Sequence, residues 1–203
     1  MYNIFKLALF LIFVECVHND AEMLRPNLDR YLIADNCITY LQNQINKELQ
    51  ASLVYLNMGS YFGSNSVARK GFSKFFHESS KEENDHARKL IDYMSRRGAK
   101  VSTFDVQMPT KDTWPDGKTA LEDALILETR INNEIHKVHY KAEHECKDPH
   151  LMDFLETEFM EEQIDSINQL KRLVAIISKM DSGMGEYLLD RQLLAGSVGK
   201  DEL

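Results

Sequence analysis

Apolar residues recur every three or four positions along most of the chain, which is the spacing of one face of an α-helix. Glycine and proline clusters interrupt this pattern, and each interruption predicts where one helix ends or the next begins. Asp35 or Asn36 is the predicted cap of the first helix, whereas Asp148 and Pro149 predict the cap and first turn of the fourth. The pattern predicts four long helices and a short fifth, at Ile38–Phe62, Val67–Arg97, Thr119–Glu145, Pro149 to about Met180, and Glu186–Leu194.

The segment Ala99–Lys118 lacks helical periodicity and contains Pro109, Pro115 and Gly117. A connection of this length is unusual inside a compact domain. It is explained if the segment runs the length of a helical bundle, so that the helices before and after it are parallel. The sequence therefore predicts an all-α fold, an up-down-down-up four-helix bundle with one long crossover and a short fifth helix.

Composition limits the classes of protein that this chain can belong to. The 203 residues are 43% hydrophobic and 28% charged, which is typical of a single globular domain and not of a disordered chain. The net charge of -8 offers no basic patch, so we expect no nucleic-acid partner.

The two ends of the chain carry predicted targeting signals. The apolar run Leu7–Val14 is too short to cross a bilayer and fits a secretory signal peptide, here assigned to residues 1–20, better than a buried first helix. The last four residues, Lys200–Leu203, read KDEL, the signal by which a receptor retrieves lumenal proteins. We therefore expect the folded domain to span residues 21–199. We expect the protein to be located in the lumen of the endoplasmic reticulum, to be secreted, or both.

Candidate metal ligands occur among the helices. Glu83 and His86 lie three positions apart, so on a helix both side chains project from one face. A carboxylate with an imidazole suits iron, manganese or zinc better than calcium. The other long helices carry polar residues among apolar neighbours: Glu48 and Tyr55 in the first, Glu128 in the third, and Glu162 and Gln163 in the fourth. Several buried carboxylates that face one another require a cation.

Over about Asp35–Leu194 the sequence resembles the ferritins. The stretches that carry the resemblance are Ile45–Ser52, Glu82–Ala87, Trp114, Leu127-Glu128, Asp148–Leu151, Asp153–Glu156 and Glu162-Gln163. Ferritins store iron in a hollow shell of two dozen subunits, and their heavy-type chains oxidise Fe(II) with dioxygen at a dinuclear centre in each bundle. The resemblance implies iron storage, ferroxidase activity and self-assembly into such a shell, alone or with a light-type chain.

The resemblance also implies roles for individual residues. Glu48, Glu83 and His86 hold the first iron, Glu83 bridges to a second that Glu128 also holds, and Gln163 and Tyr55 orient ligands and water. A light-type chain would lack several of these residues, so the resemblance is to the heavy type. Asp165 and Ile131 stand where a symmetric di-iron site would place histidines. We hypothesise that iron is therefore a substrate that leaves, and not a fixed cofactor.

Two further acidic pairs and a cysteine pair follow from the same resemblance. Asp153 and Glu156 match the acids of the three-fold channels, although the helix dipole also favours acids there. Glu82 and Asp85 are candidates for mineral nucleation, while Arg88 replaces a third acid. The predicted bundle brings Cys37 to the same end as the turn that holds Cys146, and we hypothesise a disulfide within or between subunits.

Other functions remain open at this point. The main alternative is a structural shell subunit that binds mineral but relies on another chain for oxidation. A symmetric di-iron oxygenase or peroxidase is disfavoured because a second Glu-x-x-His is missing. A nucleic-acid-protecting mini-ferritin would be shorter and would lack the fifth helix.

Overall fold

A computed structural model describes residues 31–180 and 182–196; both predicted targeting signals, at residues 1–20 and 200–203, lie outside them. Within the described ranges the chain forms five helices and no strand, which confirms the predicted all-α class. The helices are α1 at Asp35–Gly63, α2 at Lys70–Arg96, α3 at Gly117–Lys141, α4 over residues 149–177 and α5 at Ser182–Ala195.

The helix starts show which capping predictions are right. The predicted cap at Asp148 is confirmed, because its carboxylate accepts a hydrogen bond from the Leu151 amide at 3.0 Å. The predicted cap of α1 is wrong: Ala34 occupies the N-cap and no side chain bonds the first turn as a cap. Asp35 is already helical, where a carboxylate still interacts favourably with the helix dipole.

Two π-helical turns interrupt the regular helices. One, Ala142–Cys146, continues α3 and ends at Lys147, whose backbone is left-handed with φ of 51°. The other, Glu156–Met160, lies inside α4 between α-helical segments at Pro149–Leu155 and Glu161–Ile177. A π-turn accommodates one residue more than an α-turn and often lies next to a functional site.

Side-chain contacts give the helix directions. Each neighbouring pair of helices is antiparallel, because two contacts along the pair have residue numbers that rise on one helix and fall on the other. The contacts are Phe62–Phe72 and Ser52–Ser80 for α1 and α2, and Tyr40–Lys141 and Tyr55–Glu128 for α1 and α3. For α4 they are Phe154–Tyr93 and Glu162–His86 with α2, and Glu156–His139 and Gln163–Glu128 with α3. Helices α1 and α4 therefore run one way and α2 and α3 the other, with residues 97–116 as the crossover. This is the predicted up-down-down-up order.

The core of the bundle is apolar at both ends and polar in the middle. One apolar cluster surrounds Leu41, Tyr93 and Phe159, and the other surrounds Phe62 and Phe76. Between them lie buried polar residues from all four long helices: Glu48, Ser52, Ser80, Glu83, His86, Glu128 and Gln163. Burying polar groups costs free energy unless they are paired. The middle layer is therefore the part of the bundle that packing alone does not explain.

Helix α5 closes one end of the bundle by capping two other helices. The Asp190 carboxylate accepts from the amides of Gly71 at 2.7 Å and Phe72 at 3.0 Å, in the first turn of α2. Glu186 accepts from the amide of Gly117, the first residue of α3, at 2.9 Å. Carboxylates here satisfy free amides and oppose the positive helix ends. A Cβ on Gly71 would lie 1.8 Å from the Asp190 carbonyl oxygen, so only glycine permits this approach.

A buried ion pair and a disulfide join the elements at the opposite end. Arg97 Nη2 lies 2.8 Å from Asp148 Oδ2, and both side chains are about nine-tenths buried. Cys37 in α1 and Cys146 in the π-turn after α3 form an intrachain disulfide with their Cα atoms 6.2 Å apart. Both links tie the turn before α4 to the rest of the bundle.

In the part of the chain that the structure describes, no helix combines the length and the apolar character that crossing a bilayer requires.

Candidate metal centre

Each long helix contributes to a cluster in the polar middle of the bundle. Helix α1 provides Glu48 and Tyr55, α2 provides Glu83 and His86, α3 provides Glu128, and α4 provides Gln163, and none is more than 4% exposed. The structure therefore brings together all six residues that the sequence predicts for the centre. Helical spacing explains the pairs, since residues three and seven apart share a helix face.

Three of these residues are close enough to share one ion. Glu48, Glu83 and His86 each offer a ligand atom, and these atoms all lie within 4.8 Å of one another. His86 Nδ1 lies 3.7 Å from Glu83 Oε2. Two carboxylates and one imidazole form a ligand set that suits iron, manganese or zinc.

Glu128 lies beside this group with both oxygens engaged. The Tyr55 hydroxyl donates to Oε1 at 2.5 Å, and Gln163 Nε2 donates to Oε2 at 3.0 Å. Burial, and next the charge of Glu128, raise the pKa of Tyr55 well above its usual value, so the phenol remains protonated and donates. Tyr55 and Gln163 thus fix the orientation of the Glu128 carboxylate.

Several buried atoms at the centre have no hydrogen-bond partner. They are Gln44 Oε1, Glu48 Oε2, Glu83 Oε2, His86 Nδ1 and Gln163 Oε1. Nearly all buried polar atoms in native proteins are paired, so a cluster of exceptions needs an explanation. All five atoms have lone pairs available when His86 is protonated at Nε2. Three of them belong to Glu48, Glu83 and His86, whose ligand atoms are close enough to bind one cation together. The residues therefore fit a metal ion.

The ionisation of the centre favours the same conclusion. Burial raises the pKa of Glu48 well above its usual value, and the charge of Glu83 adds to this effect. Burial likewise raises the pKa of Glu83, with the charge of Glu128 next in importance. Burial alone lowers the pKa of His86, but contact with Glu162 and the charge of Glu48 outweigh it and raise that pKa. A bound cation reverses the penalty on both carboxylates.

A small cavity of about 20 Å³ opens at the centre. That volume holds about one water molecule or one ion. Its lining includes Glu82, Glu83, His86 and Glu128 together with Ser166 and Gln169 of α4. The cavity places a small guest directly among the candidate ligands.

Two residues at the centre were given no role by the sequence analysis: Gln44 was not named there, and Glu162 was named only as one of the polar residues of the fourth helix. Gln44 is 1% exposed, and its Nε2 donates to Glu48 Oε1 at 2.7 Å. Glu162 Oε2 lies 3.0 Å from His86 Nε2. The spacing of four between Gln44 and Glu48 is a signal that the sequence carries. The contact of Glu162 depends on the register between α2 and α4, which the sequence does not reveal.

The residues predicted outside the centre lie on the surface. Asp153 and Glu156 are exposed on α4, and Glu156 Oε1 lies 2.6 Å from His139 Nε2. Glu82 is exposed but lines the cavity, and its pKa is raised by partial burial of its carboxyl group and next by the charge of Glu162. Asp85 is half-buried and paired with Lys81 at 2.6 Å, and this contact lowers its pKa.

The fold agrees with a comparison against known families. The family model of the ferritin-like domain matches residues 38–180, well over half of the chain. The protein belongs to the ferritin family.

Proposed function

We propose that this chain is a heavy-type ferritin subunit that oxidises Fe(II) with dioxygen and stores the ferric product. The observation that carries the proposal is the convergence of unpaired buried ligand atoms from Glu48, Glu83 and His86 beside a third acid, Glu128. A buried set of three carboxylates and one imidazole is more than a structural core requires. Iron enters this centre as a substrate.

The residues have distinct roles in the proposed centre. Glu48, Glu83 and His86 hold the first Fe(II), and Glu83 and Glu128 hold the second, with Gln163 beside them. Two irons supply electrons to dioxygen when bound. The hydrogen bonds from Tyr55 and Gln163 keep the Glu128 carboxylate in place while this occurs.

The two proposed iron positions differ in how tightly they bind iron. The only imidazole of the cluster belongs to the first position, while the second is served by carboxylates and an amide. Residues that would complete a symmetric site are absent from the cluster, since Asp165 is exposed on α4 and Ile131 is part of the apolar core. A weaker second position favours release of the oxidised product. Two irons that remain bound through repeated turnover would contradict this.

Assembly and location complete the proposal. We propose that the subunits form a 24-subunit shell, alone or with light-type chains, with Asp153 and Glu156 drawing Fe(II) inward and Glu82 and Asp85 contacting mineral. We further propose that residues 1–20 direct the chain into the secretory pathway and that residues 200–203 engage the retrieval receptor. Deleting the last four residues should then release more unassembled subunits.

The second candidate function is a shell subunit that binds mineral without oxidising iron. This alternative does not explain why the polar cluster is buried, although its burial costs free energy.

One experiment separates these functions. The assembled protein is mixed with Fe(II) in air, and the ferric absorbance is followed beside a Glu83→Ala/His86→Ala variant. The matched control is Glu143→Ala/His144→Ala, which removes the same residue types from an exposed turn. We expect fast oxidation in the wild type and control and a rate at least 100-fold lower in the site variant. Equal slow rates in all three proteins would favour the non-oxidising subunit.

A further inference from the structure

Two of the candidate ligands, Glu48 and His86, each have one polar atom in contact with a neighbouring side chain. Gln44 lies one helical turn before Glu48 on α1 and donates to Glu48 Oε1 at 2.7 Å. Glu162 of α4 lies with Oε2 3.0 Å from His86 Nε2 on α2. In both cases the second atom of the ligand, Glu48 Oε2 or His86 Nδ1, is buried and has no partner.

We infer that Gln44 and Glu162 are positioning residues, which select the atoms that Glu48 and His86 present to the metal. This inference rests on the proposed function. Glu162 accepts a hydrogen bond from the N–H group at Nε2. This contact favours the tautomer of the imidazole that has its lone pair on Nδ1. When Gln44 occupies Oε1, Glu48 has one free oxygen, and binding through a single oxygen follows.

The surroundings of each positioning residue support a directed role. Gln44 is 1% exposed, and its own Oε1 is unpartnered, so its amide is held in the core although apolar residues would pack there at lower cost. Glu162 is half-buried, and Lys89 Nζ lies 3.9 Å from Oε2, the atom that faces His86. Lys89 also contacts Glu158 at 3.2 Å, so its charge is shared between two acids of α4. Lys89 therefore places a positive charge beside the carboxylate oxygen that faces the ring.

The test uses Co²⁺, which binds the same ligand types as Fe(II) and is stable in air. The assembled wild-type protein and its variants are titrated with Co²⁺ through the visible absorption of the bound ion. Crystals soaked with Co²⁺ then show by anomalous scattering whether the ion occupies the centre and which imidazole nitrogen binds it. The variants are Gln44→Met, which keeps the side-chain length without a donor, and Glu162→Ala. Helix content and shell size are checked first.

Matched controls separate positioning from structure. Glu162→Gln retains an oxygen that accepts from His86 Nε2, and we expect it to restore most of the affinity lost in Glu162→Ala. Asn43→Ala and Glu161→Ala change exposed neighbours on the same helices and should leave binding unchanged. Gln44→Met and Glu162→Ala should each weaken Co²⁺ binding by about tenfold or more. In Glu162→Ala the ring should also lose its preference for Nδ1.

The outcomes distinguish this inference from the proposed function. If the wild type does not hold Co²⁺ at Glu48, Glu83 and His86, the proposed function fails. If the wild type binds but Gln44→Met or Glu162→Ala loses far less than tenfold, the positioning role of that residue is overturned while the metal site stands. If Glu162→Gln binds as weakly as Glu162→Ala, the acceptor role of Glu162 is overturned.

Discussion

The disulfide between Cys37 and Cys146 gives a prediction whose magnitude follows from chain connectivity. The two cysteines are 109 positions apart, so the bond closes a very long loop in the unfolded chain. A closed loop of this length lowers the entropy of the unfolded state by the equivalent of about 4.7 kcal/mol at 25 °C. For a chain of this size that corresponds to roughly 10–20 °C in the midpoint of thermal unfolding.

The measurement compares oxidised wild-type protein, reduced wild-type protein and a Cys37→Ala/Cys146→Ala variant at equal subunit concentration, since assembly also stabilises the fold. We expect the oxidised protein to be more stable than the other two by several kcal/mol in thermal or denaturant unfolding. Reduced wild-type protein keeps the buried Cys37 sulfur and so controls for lost packing. Adding reductant to the double variant should change nothing.

The reasoning would be refuted by either of two results. A chain that begins at residue 21 contains two cysteines. If the bond did not form, both would react with a thiol probe added in denaturant before any reduction. A difference below about 1 kcal/mol between oxidised and reduced protein would show that loop closure does not limit the unfolded state here.

Three further predictions test the ends of the bundle. Arg97→Met leaves the buried carboxylate of Asp148 without its partner and should lower the free energy of unfolding by about 3–5 kcal/mol in denaturant titrations. Gly71→Ala drives a methyl group into the backbone at Asp190 and should release α5, seen as faster amide exchange in that helix than in Gly63→Ala. Asp116 is the N-cap of α3, where its carboxylate accepts from the Thr119 amide at 2.7 Å, so Asp116→Ala should cost about 1 kcal/mol at neutral pH. A hydrogen bond from a backbone amide lowers the pKa of Asp116, so this difference should disappear as the pH falls from about 4 through the lower folded pKa.

The architecture could be predicted because its signals are local. Apolar spacing located all five helices, and the absence of that spacing over the crossover implied that α2 and α3 are parallel. Helix ends were less accurate because several residue types compete for a cap. The cap at Asp148 was predicted correctly because Pro149 fixes the turn that follows it. Asp35 has no such neighbour, and it lies within the helix. A period of 3.6 also does not distinguish a π-turn from an α-turn over five residues, so both π-turns were missed.

The centre could be predicted only in part, for a different reason. Glu83 and His86 share one helix face, so their pairing is visible in the sequence, and the resemblance to ferritins supplied the partners on other helices. The contact between Glu162 and His86 depends instead on how far α4 slides along α2. The π-turn at Glu156–Met160 contributes to that register, and nothing in the sequence pattern indicated it.

The position of the caps supplied by α5 has a consequence for the order of events during synthesis. The acceptor of the Gly71 amide is Asp190, 119 residues later in the chain, and the acceptor of the Gly117 amide is Glu186, 69 residues later. Until the ribosome has passed Asp190, the amides of Gly71, Phe72 and Gly117 can bond only to water. Helix α2 then begins without a side-chain cap, whereas α3 is capped by Asp116 alone. A chain that stops before Glu186 would leave these three amides without a protein acceptor for its lifetime, so α5 distinguishes a finished subunit from a truncated one.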